Sequence, residues 1–203
     1  MESMPGKIIL VRHGETQANR LRCFAESDEI LLTDAGKRQA EELAHRLAAR
    51  FQPDALFSSP FVRARQTSEI IARALKIPSE ILVGLHERDF GCLKGQPYGR
   101  LGEMMSADAL CDPARSWMWT PPGGESLDDV RRRAVAAIDN LRDRYPAQEL
   151  IVVSHGAVIQ AICAHVTGEW TETSVPPNCG MVVIGYQEQT WHHPTLPDDW
   201  EIL

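Results

Sequence analysis

The chain has 203 residues, 43% hydrophobic and 24% charged, with a formal net charge of −7; that size and balance fit one globular domain spanning residues 1–203. Its apolar runs fall far short of the roughly 20 residues that cross a bilayer, and Met1 to Lys7 is too polar and short for a secretory signal, so a cytoplasmic protein without a membrane partner is expected. The acidic balance argues against nucleic-acid binding. Five cysteines without a C-x-x-C pair (Cys23, Cys92, Cys111, Cys163, Cys179) suggest reduced thiols rather than a disulfide framework or zinc knuckle.

The first element is a strand over residues 8–11, Ile-Ile-Leu-Val, which fits a strand buried on both faces of a parallel sheet and ends abruptly in Arg12-His13-Gly14. Ligands of such sheets bind just beyond the carboxyl ends of the strands. Arg12 offers a planar fork of donors, and Gly14 is read as allowing a sharp turn and close approach to an anion. Thr33 then caps a helix on which Leu43, Ala44, Leu47, Ala48 and Phe51 recur at helical spacing.

A second strand, Ala55–Ser58, runs into Ser59-Pro60, read as the cap and first residue of a helix bearing Arg63. Residues 84–124 hold seven glycines and four prolines and are assigned as a crossover, with a lid insertion around 88–124. A long helix resumes from Glu125, with Leu127, Val130, Ala134, Ile138, Leu141 and Tyr145 on one face, and stops at Pro146. Glu149–Ser154 is a third buried strand that ends in His155-Gly156, followed by an apolar helix over residues 157–166. Met181–Tyr186 is a last strand placed near a sheet edge. Strands alternating with helices indicate an α/β fold, expected as a three-layer α/β/α sandwich around a mostly parallel sheet with one antiparallel edge strand.

Two strands thus run into His-Gly and a third into Ser-Pro. If all meet at one sheet edge, Arg12, His13, Arg63 and His155 surround one point. Two guanidinium groups and two imidazoles can grip a tetrahedral phosphoryl group and attack it.

Arg12-His13-Gly14-Glu15-Thr16, Asn19, Ser59-Pro60 with Arg63-Ala64 and Thr67, Glu87 with Phe90-Gly91, and Ser154-His155-Gly156 together resemble the histidine phosphatase superfamily, the phosphoglycerate mutase-like family. The resemblance spans about residues 7–187. It implies a phosphomonoesterase acting on a small phosphorylated metabolite, with His13 as nucleophile. Arg12, Arg63, His155, Asn19 and Gly156 would bind the phosphate, and Glu87 would be general acid and then base. It implies no metal and no other cofactor. The alternatives are a mutase that returns the phosphoryl group to a sugar acid, which Glu87-Arg88 and Gly91-x-Leu93-x-Gly95 resemble, and a non-catalytic scaffold. Against the mutase stand the compact chain and Cys23-Phe24-Ala25-Glu26 where that pattern has a small hydroxyl residue and glycine.

Other residues read more plainly. His86 and the pair His192-His193 are surface histidines, and Arg131-Arg132-Arg133 is a solvated helix face. Trp117 and Trp119 either line a substrate pocket or anchor the insertion. Arg20 and Arg22 in the first loop favour a substrate with a second anionic group. A homodimer could form through an exposed last strand or the insertion.

Overall fold

The computed structural model describes residues 5–106, 110–169 and 175–195. Its sheet has the order β3-β2-β4-β1-β5-β6, with β1 Gly6–Arg12, β2 Ala55–Ser58, β3 Ser79–Ile81, β4 Glu149–Ser154, β5 Met181–Gln187 and β6 Thr190–Trp191. Strands β3, β2, β4 and β1 pair in parallel, whereas β5 is antiparallel to both β1 and β6. Strand β5 lies near a sheet edge and is antiparallel, as expected; the two-residue β6 that folds back along it after Gln187 was not anticipated. Strand β3 is an additional parallel edge strand, three residues long and largely exposed, so it carries no apolar run to announce it.

Register places the site. Arg12 lies opposite Ser154 on β4, and Ser58 lies opposite Val153. The carboxyl ends of β1, β2 and β4 are therefore level, and His13, Ser59 and His155 leave the sheet side by side.

Alternation along the strands divides the core between two faces. Ile9, Val11, Leu56, Ile151 and Val153 pack with Ala40, Leu43, Ala44 and Leu47 of the helix Asp34–Arg50 (α2, after the single-turn α1 Gln17–Arg20) and with Ala64 and Ile71 of α3 (Val62–Leu75). Ile8, Leu10, Leu150, Val152 and Ile184 pack on the other side with the two later helices described below.

The helix ends follow from local chemistry. Thr33 caps α2, its Oγ accepting from Gly36 N–H at 3.0 Å. Helix α3 starts after Phe61 rather than at Pro60. The Ser59 hydroxyl is turned toward His155 instead of capping a helix.

In the 84–124 segment, short turns at Val83–Leu85 and Gly91–Leu93 lead to α4 (Gly99–Met104) and α5 (Pro113–Met118), with residues 107–109 of the expected lid outside the described residues. Trp117 is only 4% exposed and sits in the core, so it anchors this segment. A capping box between Ser126 and Asp129 opens α6 (Leu127–Arg144), which buries Val130, Ala134, Ile138 and Leu141. Helix α7 (Gly156–Thr167) is largely apolar, packs against α6, and ends at Gly168 with φ 72°. No helix among the described residues is long and apolar enough to cross a membrane.

Candidate active site

A cavity of about 520 Å³ opens at the carboxyl edge of the sheet. Arg12, His13, Asn19, Arg63, Glu87 and Gly156 line it, and Phe24, Phe90, Tyr98 and Leu101 wall it on the side of the 84–124 segment. His155 lies behind, fully buried, its ring centroid 5.2 Å from that of His13. The residues singled out along 150 positions of sequence therefore converge on one place.

His13 is 3% exposed, and its Nδ1 lies 2.7 Å from the carbonyl of Gly14. A carbonyl only accepts, so Nδ1 carries the proton and Nε2 keeps its lone pair. Arg63 Nε donates to that Nε2 at 3.3 Å. Burial first, then the charges of Arg63 and Arg12, hold the imidazole well below its usual pKa, partly opposed by the Gly14 hydrogen bond. The ring is thus neutral at pH 7, with a nucleophilic nitrogen directed at two guanidinium groups.

His155 Nε2 and Ser59 Oγ are 2.7 Å apart, and Ser59 Oγ accepts from Phe61 N–H at 3.3 Å. In the tautomer in which the serine donates to His155 Nε2, the ring hydrogen sits on Nδ1. That Nδ1 and Arg12 Nε are the two buried side-chain nitrogens without a hydrogen-bond partner among the described residues. Both flank His13. Arg12 is aimed by a bond from its Nη1 to the carbonyl of Pro176 at 2.7 Å. Helix α7 adds its amino end, with Gly156 and Ala157 in the cavity wall and no side chain capping it.

Glu87 follows the turn at Val83–Leu85. That turn is tied to β4 by Ser154 Oγ, which donates to the carbonyl of Leu85 at 2.8 Å. One Glu87 oxygen accepts from Arg88 N–H at 2.8 Å. Burial raises the Glu87 pKa above the ordinary carboxylate value, and Arg63, the Arg88 N–H, Arg12 and Arg133 pull it back. The cause is desolvation within the protein.

Arg133 corrects the reading of the arginine triplet as a solvated face. Arg131 and Arg132 do pair with Asp128 and Asp129 on their own helix. Arg133 turns inward and forks onto Glu125 through two 2.9 Å bonds. It also donates to the carbonyls of Gly84, His86 and Glu87 at 3.0, 2.6 and 3.2 Å. This one side chain ties three carbonyls of the loop that carries Glu87 to helix α6.

Asn19 presents a fixed amide. Its Oδ1 accepts from Thr16 N–H, Thr16 Oγ and Asn178 Nδ2, so its NH₂ group faces the cavity and donates to Tyr98 OH at 3.3 Å. Asn178, which carries no sequence signal, also donates to the His13 carbonyl at 3.0 Å. Gly14 serves packing rather than anion approach: a Cβ there would meet the Gly36 carbonyl at 2.5 Å, where the amino end of α2 abuts the loop. His86 is half-buried, its Nδ1 2.7 Å from the carbonyl of Val83. Cys163 and Cys179 are buried, which pushes each thiol up to about 12 and makes them poor nucleophiles. Among the described residues no group of three or more His, Cys, Asp or Glu side chains could hold a metal ion.

A family model for the histidine phosphatase superfamily (branch 1) matches residues 8–199. A metal-independent phosphoserine phosphatase of Arabidopsis thaliana is 32% identical, over 98% of this chain and 83% of its own length. The uncharacterized phosphatase PhoE of Bacillus subtilis is 29% identical, over 91% of this chain and 90% of its own. Mycobacterial glucosyl-3-phosphoglycerate phosphatase, in complex with VO3, shares the fold with a TM-score of 0.83 at 22% identity, covering 94% of this chain and 97% of that one. With the family model covering nearly its whole length, this chain belongs to the histidine phosphatase superfamily and is a phosphatase of that family.

Proposed function

We propose that the protein hydrolyses phosphomonoesters of small molecules through a phosphohistidine on His13, without a metal ion. The observation that carries this reading is the pair of buried nitrogens, Arg12 Nε and His155 Nδ1, that have no hydrogen-bond partner among the described residues and lie near an imidazole whose unprotonated Nε2 accepts from Arg63. Buried donors are ordinarily satisfied, and a tetrahedral oxyanion bonded to His13 Nε2 would satisfy both.

In the first step Nε2 attacks phosphorus and the ester P–O bond breaks. Glu87, whose burial favours the protonated form, delivers its proton to the departing alkoxide. Arg12, Arg63, His155 Nδ1–H, the Asn19 amide and the Gly156 N–H hold the equatorial oxygens, where charge accumulates. In the second step Glu87, now a carboxylate, takes a proton from water. That water attacks phosphorus, the P–N bond breaks, and inorganic phosphate leaves. The names of the Arabidopsis and Bacillus relatives agree with water as the acceptor.

The test is hydrolysis of 4-nitrophenyl phosphate in excess chelator. Turnover that survives the chelator and disappears in His13→Ala supports the proposal, with Glu87→Gln slowed less for this good leaving group than for an alkyl phosphate. Turnover abolished by chelator, or interconversion of 2- and 3-phosphoglycerate faster than phosphate release, overturns it.

A further inference from the structure

The charge inventory of the cavity bears on what the phosphoryl group leaves. Three cationic side chains line it: Arg12, Arg63 and Arg88. The first two flank His13. Arg88 is 5% exposed and its Nε and Nη2 donate to the carbonyls of Glu125 and Trp119 at 2.8 and 3.1 Å. Lys94, the nearest other cation in sequence, lines an adjoining hollow that shares Arg63, Glu87, Arg88 and Phe90 with the cavity, and its ammonium is paired with Asp89 at 2.8 Å. Arg20 and Arg22 are exposed and outside the lining. The residues outside the described ones, 1–4, 107–109, 170–174 and 196–203, contain no lysine, arginine or histidine. The basic side chains near the alcohol half are thus already engaged, Arg88 by two backbone carbonyls and Lys94 by Asp89.

What faces that half is aromatic and apolar. The Phe24 and Phe90 rings lie 4.3 Å apart at 35°, and Tyr98 meets Phe24 edge-on at 5.0 Å. Leu101 extends this wall along α4. The guanidinium carbon of Arg88 lies 5.5 Å from the Phe90 centroid, but its donors are held by backbone carbonyls; a carboxylate set against this wall would lose hydration without gaining a free ion-pair partner, whereas a flat apolar group gains contact area and ring stacking.

We infer that the preferred substrates are phosphomonoesters whose alcohol portion is apolar or aromatic and carries no second anionic group. This rests on the phosphatase reading above and sharpens it against the second anion that the first-loop arginines suggested.

The test compares a matched pair with the same primary alkoxide leaving group, 2-phenylethyl phosphate and its para-carboxylate analogue, on the full chain. The uncharged ester is expected to show kcat/KM higher on the order of a hundredfold. Leu101→Arg, which adds a cation to the wall, should narrow that gap by about tenfold or more. Equal or faster hydrolysis of the carboxylated ester by the unaltered protein overturns the inference, as does turnover of other phosphomonoesters with neither member of the pair accepted. Release of phosphate from no phosphomonoester at all overturns the phosphatase reading itself.

Discussion

The hydroxyl of Ser59 lies 2.7 Å from Nε2 of His155, and this contact orients the ring of the second histidine. A serine at the end of β2 thereby acts on a histidine at the end of β4. Removing the hydroxyl leaves Nε2 buried without a partner and frees the ring to turn. Ser59→Ala is expected to lower kcat on the order of ten- to hundredfold, the equivalent of one lost buried hydrogen bond, with circular dichroism unchanged. Ser59→Thr, which keeps the hydroxyl, should recover most of it. An unchanged kcat in Ser59→Ala would contradict this role.

Arg133 positions Glu87 without touching the cavity, and charge can be separated from geometry. Arg133→Lys keeps a cation but cannot fork onto Glu125 while also reaching three carbonyls. Its kcat should fall about tenfold or more with the alkaline limb of the pH profile in place. Arg133→Ala removes a charge that lowers the Glu87 pKa, so its alkaline limb should also move to higher pH. Steady-state profiles of the two variants check both statements.

Activity and stability should respond to acid in ways set by the same burial. His13 acts unprotonated and its pKa is depressed, so kcat/KM should hold below pH 6.5. Glu87 acts first as an acid with a raised pKa, so the loss comes on the alkaline side. For stability, the unfolded chain binds protons at His13 and His155 near pH 6.5 while the folded chain does not. Stability should therefore fall as pH drops below that value, by about 1.4 kcal/mol per unit for each histidine until its folded pKa is reached. Glu87 has the opposite sign: its proton favours the folded state at low pH, and that contribution fades as pH rises through the raised pKa. Urea unfolding at pH 7 and 5 measures the net effect, and His13→Gln should flatten the acid slope.

Much of the architecture was legible because it rests on apolar runs that end in polar residues. Strands β2 and β4 and the cap of α2 fall where hydrophobic pattern and Thr33 put them. Strand β3 was hidden by its brevity and exposure, and β6 by its length of two residues and its dependence on a turn. At the site, short motifs named the groups around the cavity, but not the groups that hold them. Ser59 looked like a helix cap because Ser-Pro usually is one. Arg133 sat in a charged triplet, yet it lies three residues after Val130 and four before Ala137, both buried, and that spacing was the available signal. Asn178 reaches His13 across 165 positions from a turn with no local pattern.

The loop after His13 should tolerate no side chain at Gly36. A Cβ there would lie 2.2 Å from the Glu15 carbonyl, a backbone atom two residues from the candidate nucleophile. Gly36→Ala is expected to cost about 1–3 kcal/mol in urea unfolding and to lower kcat by displacing the loop. Wild-type stability and rate in this variant would show that α2 does not brace the site.

The covalent role of His13 is the centre of this account, and rapid quench of the enzyme with a ³²P-labelled aryl phosphate tests it most directly. The account predicts label on the protein within the first turnover, stable in base and labile in acid, mapping to His13 and absent in His13→Ala. Full turnover with no acid-labile label, or label on another residue, would contradict it.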